Sequence, residues 1–190
     1  MKTTRTTLGA LAIGLGSIGL LAACAPDAPP ATTAPSATVT STKTVTLSCN
    51  LGIYQGGNLL FNTVGTYPGS VLTLTADSAV AANSNVDYTA TVTGIKNGPL
   101  AGVDGAANVE ISVGGAASAD SPSVALGAAA PSGPILIPAI DGAAGPISGA
   151  TSVAVTKVEF TANGANAGDG AVGACVIPAA DQPSVTVGNL

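Results

Sequence analysis

The chain has 190 residues, ten acidic against five basic side chains for a formal net charge of −5, and neither histidine nor tryptophan. An acidic surface repels phosphate backbones, so nucleic acid is excluded as a natural partner. The only sustained apolar run, Leu8 to Ala23, is 16 residues long, short of the roughly 20 that a spanning helix needs, so a polytopic membrane protein is excluded too.

Residues 1–24 fall into three zones. Met1 to Thr7 carries Lys2 and Arg5 and no acid, Leu8 to Leu20 is apolar and broken by glycines, and Leu21-Ala22-Ala23 sets small residues directly before Cys24. This order is that of an export signal. Its last four residues resemble the lipobox of bacterial lipoproteins, whose cysteine thiol is acylated and whose leader is cut just before it. The resemblance implies a signal peptide over 1–23, a mature chain starting at lipidated Cys24, and a position on the outer face of the cell membrane. Two acyl chains, at roughly 0.8 kcal/mol per buried CH₂, make a lasting anchor where one is marginal. An ordinary signal peptide cut after Ala23 is the alternative. Loss of Lys2 and Arg5 leaves three basic and ten acidic residues, 3 − 10 = −7.

Three cysteines in an exported chain leave one unexplained. With Cys24 acylated, Cys49 and Cys175 remain as an even pair in an oxidising compartment, and a bridge between them is expected; two separate buried thiols are the alternative. Residues 24–43 read as a tether, because Ala25 to Lys43 has four prolines among Thr, Ser and Ala. Such a stretch buries too little to offset its ordering entropy. At roughly 3.1 Å per residue it reaches up to about 60 Å, and its Ser/Thr/Pro mixture suits O-glycosylation.

From Thr44 the pattern turns to period two, and residues 44–190 read as one β-domain. Val45, Leu47 and Cys49 alternate with Thr and Ser; Leu72, Leu74 and Ala76 alternate with Thr73 and Thr75. Val86 to Thr93 is apolar at every even position and polar at every odd one, and Val109 to Val113 repeats the theme. Each is a strand with one solvated face. Thr151 to Thr161 slips phase between Val155 and Val158, which a β-bulge at Thr156 or Lys157 reconciles. Residues 171–177 and 184–187 supply the last strands. The dipeptides Asn97-Gly98, Asp104-Gly105, Asp141-Gly142, Asn163-Gly164 and Asp169-Gly170 read as tight turns. Ser118 to Gly149 is rich in Ala, Pro and Gly, with one strand expected at Ile135-Leu136-Ile137. The fold class is therefore all-β: an antiparallel β-sandwich, Ig-like in the broad sense, with long loops.

The first strand ending TVTLSC, Tyr67-Pro-Gly-Ser-Val71 and the terminal run from Ala174 to Val187 resemble a family of secreted actinobacterial β-domains. That family has a cysteine near each end and no assigned activity. The resemblance, over roughly 44–190, implies an exported β-sandwich with a terminal disulfide and transfers no functional residue.

Without histidine, Ser-His-Asp and Cys-His catalysis and His-based zinc sites are impossible. No GxSxG, SxxK or phosphate-binding glycine loop occurs, so no cofactor or catalytic residue is assigned. The three oxygen-bearing groups Asn163, Asn166 and Asp169 suit calcium by type but not by spacing; a hairpin loop is the preferred reading. Lys157 and Glu159 read as a solvated pair. Tyr88 and Phe160 fall on inward positions, whereas Tyr54 and Tyr67, among Gly and Asn in expected loops, are the candidates for a surface contact. The expected function is a non-enzymatic envelope lipoprotein, bound to the membrane through Cys24, whose domain meets an envelope or host component. The alternatives are a carrier of an apolar ligand held between the sheets and a carboxylate-dependent enzyme, which two acids converging in a cleft would favour.

Overall fold

The computed structural model describes residues 37–97, 102–164 and 168–190, with backbone only at 102–104, 118–119 and 164. The expected signal peptide, Cys24 and the start of the expected tether lie outside the described residues, as do Gly98 and Asn166. The described chain is all-β, with a single 3-10 turn at Ala179–Asp181.

Eleven strands follow in order. They are β1 (Thr38–Gln55), β2 (Asn58–Asp77), β3 (Ala79–Val80), β4 (Ser84–Thr93), β5 (Gly102–Val113) and β6 (Ala116–Asp120). Then come β7 (Val124–Leu126), β8 (Ile140–Ile147), β9 (Thr151–Gly164), β10 (Gly170–Val176) and β11 (Ser184–Asn189). Hydrogen bonding links them in the path β3-β11-β9-β10-β1-β2-β4-β8, with β5 on the other edge of β9 and carrying β6 and β7. The ladder is antiparallel except where β11 runs parallel to β3, so the sheet is mixed rather than wholly antiparallel.

The long β1–β2 hairpin gives the fold its sandwich-like form. Its register shifts between Val45 and Leu47. Before that bulge β2 pairs onward with β4, over Val71–Ala76; after it β1 pairs onward with β10, over Cys49–Tyr54. One half of the hairpin thus joins β4 and β8, the other joins β10, β9 and β5, and a bulge is the usual device for such a change of direction. Buried side chains from both halves form one core, including Leu72, Leu74, Tyr88 and Ile140 on one side and Val109, Ile111, Val153, Val158 and Cys175 on the other.

Cys49 and Cys175 stand directly opposite each other in β1 and β10, Cα atoms 4.0 Å apart, and are joined by a disulfide. Both are fully buried. In β4 the inward set is Val86, Tyr88, Ala90 and Val92, as alternation requires. In β9 the phase slip resolves at Thr156: Glu110 pairs Lys157 and Ile111 pairs Val155, leaving Thr156 as the extra residue. Val153, Val155, Val158 and Phe160 are then all buried.

Several expectations are corrected. The first strand begins at Thr38, not Thr44, because Thr38–Lys43 pairs residue for residue with Leu72–Asp77. Threonine ladders support it, Thr40 with Thr75 and Thr42 with Thr73, each Oγ1···Oγ1 at 3.0 Å, and such cross-strand pairs stabilise sheets. Asp104-Gly105 and Asp141-Gly142 are not turns but parts of β5 and β8. Gly142 lies opposite Tyr88, and a Cβ there would run into the tyrosine ring and hydroxyl. Gly105 lies against the Thr161 carbonyl in the same manner. These glycines serve close packing, a role that turn chemistry imitates in sequence. The tight hairpins fall instead at Gly56-Gly57 and Gly114-Gly115, with φ of 56° and 79°, and 61° and 83°, the left-handed pair that two-residue turns demand. Ile135–Ile137 forms no strand; Ile135 is held by its N–H donating to the Ile95 carbonyl at 2.9 Å. The Ala/Gly/Pro-rich span holds β6, β7 and β8 instead.

Candidate contact surface at the hairpin end

At the Gly56-Gly57 turn the β1–β2 hairpin is clipped to the start of β10. The Gly56 N–H donates to Asp169 Oδ1 at 2.8 Å and the Gly57 N–H to the Gly168 carbonyl at 3.0 Å. Asn163 lies in the last two residues of β9 and Asp169 precedes β10, so this turn brings the two expected oxygen-bearing groups within the described residues beside Tyr54. Together with Gly57, Gly170 and Val172 they line a shallow cleft of about 220 Å³. Asp169 spends an oxygen on the turn, a structural role.

Strand register sorts the side chains of this end into two faces. On the core-side face Leu47, Cys49 and Leu51 align with Tyr67, Gly65 and Thr63. On the outer face Asn50 aligns with Val64 and Ala174, and Gly52 with Asn62 and Val172. Tyr54 sits on that outer face with its ring over Gly52, where a Cβ would lie 3.1 Å from Tyr54 Cε2 and 3.4 Å from Leu59 Cδ1. Both candidate tyrosines therefore lie in strands rather than loops, and on opposite faces. Tyr67 packs against the core, covers Gly65 with Leu51, and has its hydroxyl pKa raised by burial. Only Tyr54 remains part of the outer surface.

Sequence reasoning did not single out the residues that dominate here. Leu59 (48% exposed), Leu60 (53%), Phe61 (53%), Val64 (61%), Val172 (47%) and Val176 (66%) all lie on the lower β1–β2 hairpin and the adjoining β10. Elsewhere among the described residues only Leu136 and the terminal Leu190 are large, apolar and exposed. Apolar side chains scattered singly are ordinary, but a group of them on neighbouring strands marks an interaction surface. No charged residue occurs from Thr44 to Ala76, so the hairpin itself is uncharged in an acidic protein and Asp169 brings a carboxylate to its turn. The signal available in sequence was that uncharged stretch; alternation alone did not reveal that both faces of Asn58–Val64 meet solvent.

Beyond the hairpin, the outer face of β9 turns charged. Lys157 Nζ bridges Glu110 and Glu159, 3.1 Å from each. Glu110 also accepts the Thr156 hydroxyl at 2.7 Å, and that bond, then Lys157, holds its carboxyl below the ordinary value.

A second surface lies on the outer face of β1, β2, β4 and β8, where Thr38, Asp77, Asp87, Thr75, Thr89 and Asp141 line a cleft of about 340 Å³. Here three carboxylates gather with threonine hydroxyls. Asp141 accepts the Thr89 hydroxyl at 2.6 Å. Among the described residues no three of His, Cys, Asp and Glu are placed to hold a metal ion, and no helix is long and apolar enough to cross a membrane.

No protein-family model, curated protein or solved structure matches the chain.

Proposed function

We propose that this chain is a lipid-anchored envelope protein, held at the outer face of the membrane through Cys24, whose non-enzymatic β-domain meets an envelope or host component at the hairpin end. The supporting observation is the grouping of exposed apolar side chains at the end of β1 remote from Thr38. The described domain begins with β1 at Thr38, and the 18 residues of β1 extend at most about 60 Å at roughly 3.3 Å per residue. The exposed apolar group therefore lies at the end of β1 remote from the point where the described domain begins. Replacing Cys24 with Ser is expected to move the protein from the membrane fraction to the medium, and the mature N-terminal peptide is expected to begin at acylated Cys24. Retention of the Cys24→Ser chain on membranes refutes the anchor.

The acidic cleft favours a carboxylate-dependent enzyme as the second reading. An enzyme acting there loses its turnover when Asp87 and Asp141 are both changed to Asn, and retains it when the hairpin end is altered. The carrier reading draws no support from the described residues, whose inward side chains meet in one contiguous cluster.

A further inference from the structure

The lower half of β2 is a strand edge without a neighbour. One edge of β2 pairs with β1 from Asn58 to Asp77, whereas the other meets β4 only over Val71–Ala76. Along Phe61–Tyr67 alternate N–H and C=O groups therefore point outward with no paired strand among the described residues. Irregularities close this run at both ends. Leu60 is the unpaired residue where Ile53 faces Phe61 and Tyr54 faces Leu59, and Pro68-Gly69 occupies the other shift, between Tyr67 and Ser70.

Natural edges are usually guarded by lysine, proline or an inward-pointing charge. The segment Phe-Asn-Thr-Val-Gly-Thr-Tyr has none of these. We infer that this edge pairs with the same edge of a second copy of the chain, antiparallel, about a two-fold axis at Val64. The inference rests on the display reading and names the partner at that site.

Charge selects this occupant. Two copies of an acidic chain repel over most of their surfaces, whereas the edge Phe61–Tyr67 and the β1 residues paired with it carry no charge. An antiparallel edge is also complementary to itself, so the contact closes as a symmetric dimer and does not propagate. The two-fold continues each face of the sheet, bringing Asn62, Val64 and Thr66 of both copies together on the outer side and Thr63 and Gly65 on the other.

Area sets the strength. Seven residues span about 24 Å at 3.4 Å each, and a sheet about 10 Å thick then gives on the order of 500 Å² over both copies, well below the 1,200–2,000 Å² of stable complexes. The pairing is accordingly weak in free solution and draws on the high local concentration that membrane anchoring provides.

The test uses the full lipidated chain in liposomes. With Cys24 acylated and Cys49 bridged to Cys175, a Thr63→Cys variant carries one free thiol beside the axis, and Thr91→Cys carries one on the remote face of β4. A short bis-maleimide is expected to give covalent dimer at least ten-fold faster for Thr63→Cys than for Thr91→Cys. Adding Val64→Lys is expected to reduce the Thr63→Cys yield at least ten-fold, while the intact Cys49–Cys175 bridge reports that each variant is folded. Equal rates at both positions, or no dimer at either, overturn the inference. In intact cells, an adduct of Thr63→Cys with a different protein overturns self-pairing and leaves the display reading standing; no adduct of any kind in liposomes or cells removes both.

Discussion

Removal of the Cys49–Cys175 bridge is expected to lower stability by about 5 kcal/mol. The two cysteines are separated by 126 residues, and cross-linking a loop of that length removes chain entropy worth about 5 kcal/mol from the unfolded ensemble. In the folded state the bridge adds little ordering, because Cys49 already sits in a ladder between β10 and β2, and Cys175 in one between β1 and β9. The double substitution Cys49→Ala, Cys175→Ala avoids stranding a thiol in the core; the lost sulfurs leave a small void costing about 1 kcal/mol more. For a chain of this size such a loss corresponds to roughly 10–20 °C in the unfolding midpoint. Urea titration should also steepen, since an unbridged unfolded chain exposes more surface. A midpoint lowered by less than about 3 °C, with unchanged urea dependence, would falsify the view that the bridge acts on the unfolded chain.

Gly142→Ala places a methyl group against the Tyr88 ring, and Gly173→Ala does the same to Phe160, which faces it across the β9–β10 ladder. Each is expected to cost about 1–3 kcal/mol by overpacking; Tyr88→Leu should relieve most of the Gly142→Ala cost in a double-mutant cycle measured by urea unfolding. Deleting Thr156 removes the extra residue of the β9 bulge and leaves Val153, Val155, Val158 and Phe160 in unbroken alternation on the inward face, so the domain should still unfold cooperatively; loss of the cooperative melt contradicts the bulge assignment. The Glu110 carboxyl lies below its ordinary 4.5, through Thr156 first and then Lys157, so its stabilisation is present above that value and fades as pH falls through the lower folded one. Lys157 is raised above 10.5 by Glu159 first and then Glu110, so its share is present below that value and is lost as pH rises through the folded one. At this solvated site each amounts to less than about 1 kcal/mol. Glu110→Gln should therefore flatten part of the acid limb of the stability–pH curve, an effect absent if the cluster is adventitious.

Where side-chain period and burial agree, the fold was legible in the residues. The even-numbered apolar set of β4 and the slip in β9 fixed both faces and the bulge, because a one-residue error there exposes a whole row of core side chains. Cysteine parity likewise foretold the bridge. Glycine was the main source of error. In β5 and β8 it makes room for a carbonyl or a ring from the neighbouring strand, a tertiary demand that no local pattern announces, and next to aspartate it imitates a turn. Thr38–Lys43 was misread because a strand made of Thr, Ser and Lys carries the composition of a tether; its partner Leu72–Asp77 is what makes it a strand. The contact surface was the least legible. The exposure of Leu59, Leu60 and Phe61 follows from the hairpin's outrunning β4, a consequence of topology.

Photo-crosslinking on intact cells tests the display of the hairpin end most directly. A benzophenone side chain in place of Val172, on the outer face beside Gly52, is expected to capture an envelope component or a second copy, while the same group in place of Thr91 captures nothing comparable. Capture confined to Thr91, or indifferent between the two positions, contradicts the assignment of this end as the contact surface.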